Sequence, residues 1–209
     1  QHWREVPYAK KRFYDREAPP AYAARSPGRP RAEVDLLRRI LEGVPGGETL
    51  DVPCGTGRLG EVLAGLGCRV TRADLSAPML HLAGGGVCAD AARLPFRDRA
   101  FDLVVCHRFL HHLRPAELEP VLGELARVTG RHLVLTFFHP CSLHGLARRV
   151  ECLLRGRPSG RFTTRPRRLA RLLAPRGLRP LRHAAQRPYL RELWSALFVR
   201  PGSGPGQGV

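Results

Sequence analysis

The chain has 209 residues and 35 Lys and Arg side chains against 18 Asp and Glu, which gives a formal net charge of +17. This length suits one domain that buries its own core, and a hydrophobic share of 43% excludes a wholly disordered protein. Because no apolar run approaches the roughly 20 residues that cross a bilayer, we expect no membrane-spanning helix.

The first half of the chain changes from a polar segment into alternating helices and strands. Residues 1–30 are rich in proline and aromatic side chains, and we expect them to precede a folded domain of residues 31–200. Apolar residues at helical spacing predict a helix from Arg31 until Gly43 ends it, and shorter helices over residues 60–66 and 76–82. Strands are predicted over Glu48–Val52, Cys68–Ala73, Val87–Ala89 and Phe101–Cys106, and the last of these is apolar enough to be buried on both faces.

The alternation continues in the second half with a basic interruption. A helix over Pro115–Val128 and a fifth strand over Arg131–Phe138 are predicted first. An arginine-rich insert at about residues 143–175 follows, and the tail, residues 201–209, is rich in glycine and proline and is expected to be disordered. Two helices are predicted within the insert, over Leu143–Leu154 and about Arg165–Leu173.

The order of these elements predicts the fold class. Strands that alternate with helices indicate a parallel sheet with right-handed crossovers. The last two predicted strands, Leu178–His183 and Tyr189–Val199, are joined by only five residues, which suits an antiparallel hairpin and not a crossover helix. We therefore predict an α/β fold, a Rossmann-like doubly wound sheet of seven strands that is mostly parallel, with an antiparallel C-terminal strand.

The most informative motif follows the first strand. Asp51 ends that strand, and the turn after it carries glycines at positions 55, 57 and 60 in a G-x-G-x-x-G spacing. Such a turn lets the backbone approach a ligand at a helix N-terminus. Asp74 lies 17 positions after Gly57 at the end of the next strand, where a carboxylate accepts hydrogen bonds from a ribose diol, and Asp90 ends the third strand. The pattern predicts a row of acceptors along the carboxyl edge of the sheet.

These segments resemble the class I S-adenosylmethionine (SAM)-dependent methyltransferases, in particular their small type 11-like members, over about residues 10–200. The resemblance implies SAM as cofactor, and places Asp51 near its methionine amino group, Gly55 and Gly57 beneath it, and Asp74 at its ribose. The antiparallel terminal hairpin also fits this family, whereas nicotinamide-binding Rossmann folds, the alternative for such a glycine turn, lack it.

Further cofactor contacts follow from the same resemblance. It implies that Asp90 accepts from the adenine amino group and that Ala91 contributes its backbone. Tyr14 lies in a segment similar to the one that closes over SAM in relatives, so residues 1–30 are expected to cover the cofactor. Pro53 stands where the family usually has its first glycine, and a proline removes one backbone donor.

Histidines after the fourth strand are the candidates for proton transfer. A methyl acceptor of high pKa needs a general base, which is most often histidine. His107 and His111 follow the strand end and resemble the family loop beside the methyl group, so we predict them as catalytic residues. His112 and His139 are weaker candidates, and packing of His111 and His112 beside leucines is the alternative interpretation.

The net charge and the cysteines bear on partners and setting. Residues 141–209 hold 15 basic and 2 acidic side chains, whereas residues 51–140 hold 10 and 9. The six cysteines lack a C-x-x-C pair, so we expect no metal site and a reducing, cytoplasmic location. Cys54, Cys88 and Cys106 lie in or beside apolar runs and are expected to be buried.

The function predicted from these observations is SAM-dependent O-, N- or C-methylation of a small-molecule acceptor. The basic C-terminal third favours an anionic metabolite or an anionic membrane surface, or it is a solvated face in an arginine-rich composition. The loop after strand four lacks the Asp/Asn-Pro-Pro-aromatic motif of base methylation, so a nucleic-acid acceptor is not favoured. An RNA-binding or SAM-sensing module with little turnover is the alternative function.

Overall fold

A seven-stranded sheet runs through the part of the chain that the computed structural model describes, residues 29–156 and 161–202. Its strands are β1 (Glu48–Asp51), β2 (Arg69–Asp74), β3 (Val87–Cys88), β4 (Phe101–Cys106), β5 (Thr129–Phe138), β6 (Arg179–Ala185) and β7 (Leu193–Val199). They lie in the order β3-β2-β1-β4-β5-β7-β6. The first five strands are parallel to one another, and β7 is antiparallel to both β5 and β6. The predicted fold class is confirmed.

Six α-helices connect and cover these strands in the described residues. They are α1 (Arg29–Leu41), α2 (Gly60–Ala64), α3 (Ala77–Leu82), α4 (Pro115–Val128), α5 (Leu143–Leu154) and α6 (Pro166–Leu173). Ser76 caps α3 as predicted, since its hydroxyl accepts the backbone N–H of Met79 at 3.4 Å. The bounds predicted for β4, α4 and α5 agree with the structure.

The last strand begins four residues later than predicted. Tyr189 and Leu190 belong to the turn between β6 and β7, where Tyr189 has a φ of +59° that no strand allows. The carbonyl oxygen of Tyr189 accepts the backbone N–H of Leu143 at 2.8 Å, so the turn holds the start of α5. The aromatic and apolar side chains that suggested a strand therefore belong to a turn that contacts the start of α5.

The core has one layer on each face of the sheet. Leucines of α4 and α6, such as Leu125 and Leu169, pack with Phe137 and Phe198 on one face. Leu37 of α1 and Leu63 of α2 pack with the opposite side of β4 on the other face. With both faces covered, the carboxyl edge of the parallel strands is the side of the sheet left for a ligand.

The start of β1 depends on a carboxylate from β4. Asp102 accepts the backbone N–H of Glu48 at 3.1 Å. A Cβ atom on Gly47 would lie 2.4 Å from Asp102 Oδ2. We expect Gly47→Ala to lower the unfolding free energy by about 1–2 kcal/mol, because Asp102 must move and Glu48 loses its acceptor.

Urea denaturation measures this change as a lower midpoint at an unchanged slope. Gly65→Ala is the matched control, since Gly65 has a φ of −64° and its added Cβ would meet no atom closer than 3.4 Å. The control is expected to leave stability unchanged or to raise it slightly. Equal stability of the two variants would show that Asp102 does not hold β1.

Candidate functional site

The carboxylate of Asp51 lies buried at the end of β1, in the middle of the sheet. Its residue is 1% exposed, and the described residues provide no hydrogen-bond partner for either carboxylate oxygen. Burial, joined by the nearby Asp74 carboxylate, raises the pKa of Asp51 to about 7, against the opposing effect of Arg72 and Arg58. A buried acid without a donor is costly, so this position suits a ligand that brings its own cation or donor.

The glycine turn leaves open space beside this acid. Gly55 and Gly57 have φ values of +54° and +74°, in the left-handed region that glycine adopts without strain. A Cβ on Gly57 would lie 2.9 Å from the Cβ of Ala83, whereas one on Gly55 would meet nothing within 4 Å. Pro53 is half-buried and is preceded by a cis peptide bond. The turn thus packs against the end of α3 on one side and is open on the other.

Asp74 joins this turn to the end of β2. Its two carboxylate oxygens accept the backbone N–H of Gly55 at 2.8 Å and that of Ser76 at 2.9 Å. Burial raises the pKa of Asp74, although these backbone donors oppose the shift. Each oxygen keeps a second lone pair, so the carboxylate shapes the turn and can still accept from a hydroxyl group.

The third predicted acid stands in a tight turn after β3. Asp90 is half-buried, and its Oδ1 accepts the backbone N–H of Ala92 at 2.8 Å. Ala91 between them is 5% exposed and packs into the main core cluster. The structure therefore brings three acids to one edge of the sheet, where Asp51 and Asp74 end β1 and β2 and Asp90 lies two residues after β3.

A charged cluster closes this edge from the side of α1. Glu33 of α1 is buried, and its carboxylate lies 3.4 Å from His107 Nε2 and 2.5 Å from Arg108 Nη1. Arg108 has a φ of +55°, and its backbone N–H donates to Thr136 Oγ1 at 2.5 Å. These contacts hold the loop after β4 in an otherwise unfavourable conformation and aim His107 at Glu33.

The cluster also sets the protonation of its members. Burial lowers the pKa of His107, although the hydrogen bond and charge of Glu33 oppose this. Burial acts to raise the pKa of Glu33, but His107 and Arg108, with Arg58, outweigh it and the pKa is lowered. The result is an ionised Glu33 beside a neutral His107 near pH 7. With Nε2–H donated to Glu33, the basic nitrogen of that neutral ring is Nδ1.

The second predicted catalytic histidine is deep in the protein. His111 is 2% exposed and stacks on Phe138, with ring centroids 4.0 Å apart. Its ring also contacts that of His112, tilted by 46° at a centroid distance of 3.9 Å. Its carbonyl oxygen accepts the backbone N–H of Phe162 at 2.8 Å. These contacts are those of a packing residue, and the catalytic role of His111 stays a prediction.

His139 lies after β5, away from the Glu33 cluster. Its Nδ1 accepts the backbone N–H of Cys141 at 3.2 Å, and its ring stacks on Trp194. Burial lowers its pKa.

The thiols at this edge are not activated. Burial, with Asp51 and Asp74 nearby, raises the pKa of Cys54 to about 12, and burial also raises the pKa of Cys106. Both stay protonated and are poor nucleophiles. Cys88 is exposed, so the prediction that it is buried was wrong; it ends a two-residue strand at the edge of the sheet. Within residues 29–156 and 161–202 there is no group of three His, Cys, Asp or Glu that suits a metal.

Sequence reasoning missed Glu33. It sits on a helix predicted only for its apolar face, and no local spacing links it to His107, which is 74 positions away. The Glu33 cluster forms because α1 packs on the sheet with Glu33 beside the residues that follow β4, which only the fold reveals. Tyr14 and most of the predicted covering segment lie outside the described residues.

Part of the chain is similar in sequence to known methyltransferases. Residues 50–133 match a family model described as a methyltransferase domain. Over 129 residues the chain is 36% identical to a demethylmenaquinone methyltransferase of Corynebacterium urealyticum, covering 58% of this chain and 55% of that protein. A ubiquinone biosynthesis O-methyltransferase of Pseudoalteromonas translucida is 32% identical over 106 residues, 45% of each. The chain spans about half the length of the curated relatives it matches.

Solved structures share the fold. The magnesium protoporphyrin IX methyltransferase of Synechocystis, with bound S-adenosylhomocysteine (SAH), superposes with a TM-score of 0.65 at 22% identity and covers 81% of each chain. The N-methyltransferase NodS of Bradyrhizobium japonicum, also with SAH, gives a TM-score of 0.68 at 17% identity and covers 93% of this chain and 98% of its own. At these identities the likeness establishes the fold.

Removing the charge of Glu33 is expected to change the titration of His107. In Glu33→Gln the imidazolium loses its neighbouring carboxylate, so the pKa of His107 falls further, by about one pH unit. NMR titration of the histidine rings measures the shift. His139, whose ring contacts Cys141 and Trp194, is the internal control and keeps its pKa. An unchanged or higher pKa of His107 would contradict the pairing.

Proposed function

We propose that this chain is a class I SAM-dependent methyltransferase that binds SAM at the carboxyl edge of its sheet and transfers the methyl group to a small-molecule acceptor. One observation carries the proposal: the Asp51 carboxylate is buried without a partner beside an open glycine turn. The cofactor has an ammonium group that suits such a carboxylate, and pairing the two removes the cost of burying the acid alone.

The other acids of the edge suit the rest of the cofactor. Asp74 has lone pairs left after binding Gly55 and Ser76, which supports hydrogen bonds to the ribose hydroxyls. Asp90 and the buried Ala91 stand one strand further out, which supports contacts with adenine. The three acids lie at or just after the ends of adjacent strands in the order Asp51, Asp74 and Asp90. This order matches the amino acid, ribose and adenine of the cofactor.

The proposed chemistry needs little from the protein beyond position and proton control. SAM, when bound, supplies an electrophilic methyl group on a sulfonium sulfur. The chain orients the acceptor for in-line displacement. His107 is neutral, Glu33 fixes its Nε2–H, and Nδ1 has no hydrogen-bond partner in the described residues. We assign to His107 Nδ1 the role of taking the acceptor's proton.

The class of acceptor is argued from relatives and charge. The curated relatives are named for demethylmenaquinone and for ubiquinone biosynthesis, which supports a ring-bearing small molecule. The 15 basic side chains of residues 141–209 support an anionic acceptor equally well. A SAM-sensing or RNA-binding module, favoured by the same basic residues, is the second candidate function, and release of SAH separates it from an enzyme.

Binding of SAM is expected to weaken as the pH falls below 7. The free protein protonates Asp51 with a pKa of about 7, whereas an ammonium ligand needs the ionised carboxylate, so binding must release a proton. Affinity should fall by up to about tenfold for each pH unit below 7. Isothermal titration calorimetry with SAM between pH 8 and pH 5.5 measures this trend.

Two variants complete the calorimetry. Asp51→Asn should lose at least about tenfold in SAM affinity and flatten the pH dependence, because the ionisable group is gone. Asp102→Asn is the matched control, since Asp102 is a half-buried carboxylate at the start of β4, at the end of the strand away from the carboxyl edge of the sheet. Unchanged affinity in Asp51→Asn, or no binding by the parent protein, would overturn the cofactor assignment.

Turnover tests the proposed base. A metabolite extract incubated with methyl-labelled SAM should yield SAH and a labelled product, and His107→Gln should slow product formation by about 100-fold or more while SAM affinity is retained. His81→Gln, on the exposed side of α3, is the control and keeps the parent rate. An equal rate in both variants would remove the base role from His107, and SAM binding without any product would favour the module.

A further inference from the structure

Helix α5 turns its leucines outward. The side of α5 that faces the protein carries Gly145, which is buried, and Arg148, which is mostly buried. The outward side carries five large apolar residues, and Leu153 and Leu154 are 81% and 83% exposed. We call this side the apolar helix face; its members are Leu143, Leu146, Val150, Leu153 and Leu154. A surface helix normally has the opposite orientation, with its apolar stripe toward the core.

Polar contacts fix this orientation. Glu192, at the start of β7 and 3% exposed, pairs with Arg148 Nη1 at 2.5 Å beneath the helix. Ser142 caps α5 by accepting the backbone N–H of Gly145 at 3.0 Å. A rotation that buried the leucines would expose Gly145 and break the ion pair, which would leave the Glu192 carboxylate buried alone. The apolar helix face is therefore a permanent surface of the described structure.

The turn before β7 extends the apolar surface. Tyr189 and Leu190 are both exposed, and their carbonyl oxygens accept the backbone N–H groups of Leu143 and His144 at 2.8 and 3.3 Å. Leu143, Leu146, Val150 and Leu154 also line a shallow groove of about 580 Å³. A contiguous apolar surface of this kind, with an aromatic residue at its margin, marks a site that another apolar phase covers.

Positive charge surrounds the same surface. Arg149 is exposed on α5, and Arg155 is exposed directly after it and pairs with Glu151 at 3.0 Å. Arg187 and Arg191 are exposed beside Tyr189 and Leu190. Only Glu151 and Glu192 are acidic between residues 141 and 209, and Glu192 is occupied by Arg148. Leucines surrounded by arginines suit an anionic bilayer surface, where the leucines contact acyl chains and the arginines contact headgroups. A second copy of this chain would instead bring like charges together.

We propose that the apolar helix face, with the turn at Tyr189 and Leu190, docks the protein on the surface of an anionic membrane. The 12-residue α5 is too short to cross a bilayer, and no helix of the described residues is long and apolar enough to do so. Docking therefore lays α5 in the interface, with its leucines among the acyl chains. Because α5 follows the carboxyl end of β5, this surface lies at the sheet edge that carries the candidate site.

Co-sedimentation of the full chain with vesicles tests the docking without SAM, so its result is independent of the proposed function. Vesicles of equal parts phosphatidylglycerol and phosphatidylcholine should bind the protein, and pure phosphatidylcholine should bind it weakly. The double variant Leu153→Gln, Leu154→Gln should partition at least about tenfold less. Raising NaCl from about 0.05 to 0.5 M should also release the protein.

Leu66→Gln with Leu181→Gln is the matched control, since both leucines are exposed outside the apolar helix face. The control should bind vesicles like the parent, and circular dichroism verifies that both double variants fold. Equal binding by the α5 variant would mean that arginines alone attract lipid and would overturn the proposal. A failure of the parent protein to bind vesicles would also overturn it. If light scattering then showed a dimer that the α5 variant dissociates, the apolar helix face would be assigned to a second copy of the chain.

Discussion

The candidate site depends on a carboxylate that the fold buries without a partner. Asp51 ends β1, which has paired strands on both sides, so the acid is enclosed by the sheet and by the turn above it. The neighbouring Asp74 adds to the cost, and it cannot move away because Gly55 and Ser76 donate to it. A protein bears this strain where a ligand relieves it, and the open side of the turn at Gly55 leaves the approach free.

The second constraint is the loop after β4. Arg108 adopts a left-handed backbone there because Thr136 and Glu33 hold it from two different elements. This brings His107 against Glu33, and both interact electrostatically with Arg58 of the glycine turn, which also acts on Asp51. Arg58 therefore lies near both the Glu33–His107 pair and Asp51, and it links the two parts of the candidate site electrostatically.

Local patterns predicted the parts of this molecule that local interactions decide. The alternation of apolar runs and glycine turns predicted the sheet, the antiparallel end and the position of three acids, because strand ends in a parallel sheet share one edge. The role of Glu33 could not be predicted, because its partner His107 is distant in sequence. The outward orientation of the α5 leucines could not be predicted for a related reason. Helical spacing identifies an apolar face, but the contact of Arg148 with Glu192 decides which way that face points.

The acidic site and the basic surface do not cancel each other, because their charges lie in different media. Asp51, Asp74 and Glu33 are buried, where a charge acts strongly over a few ångströms and solvent screens it little. The arginines around α5 are exposed, and salt limits their field to about 10 Å. In the proposed function the acids hold a cationic cofactor at contact, and in the proposed docking the arginines attract an anionic surface from solution. The net charge of +17 therefore bears on how partners approach the protein, and the buried acids bear on the proposed chemistry.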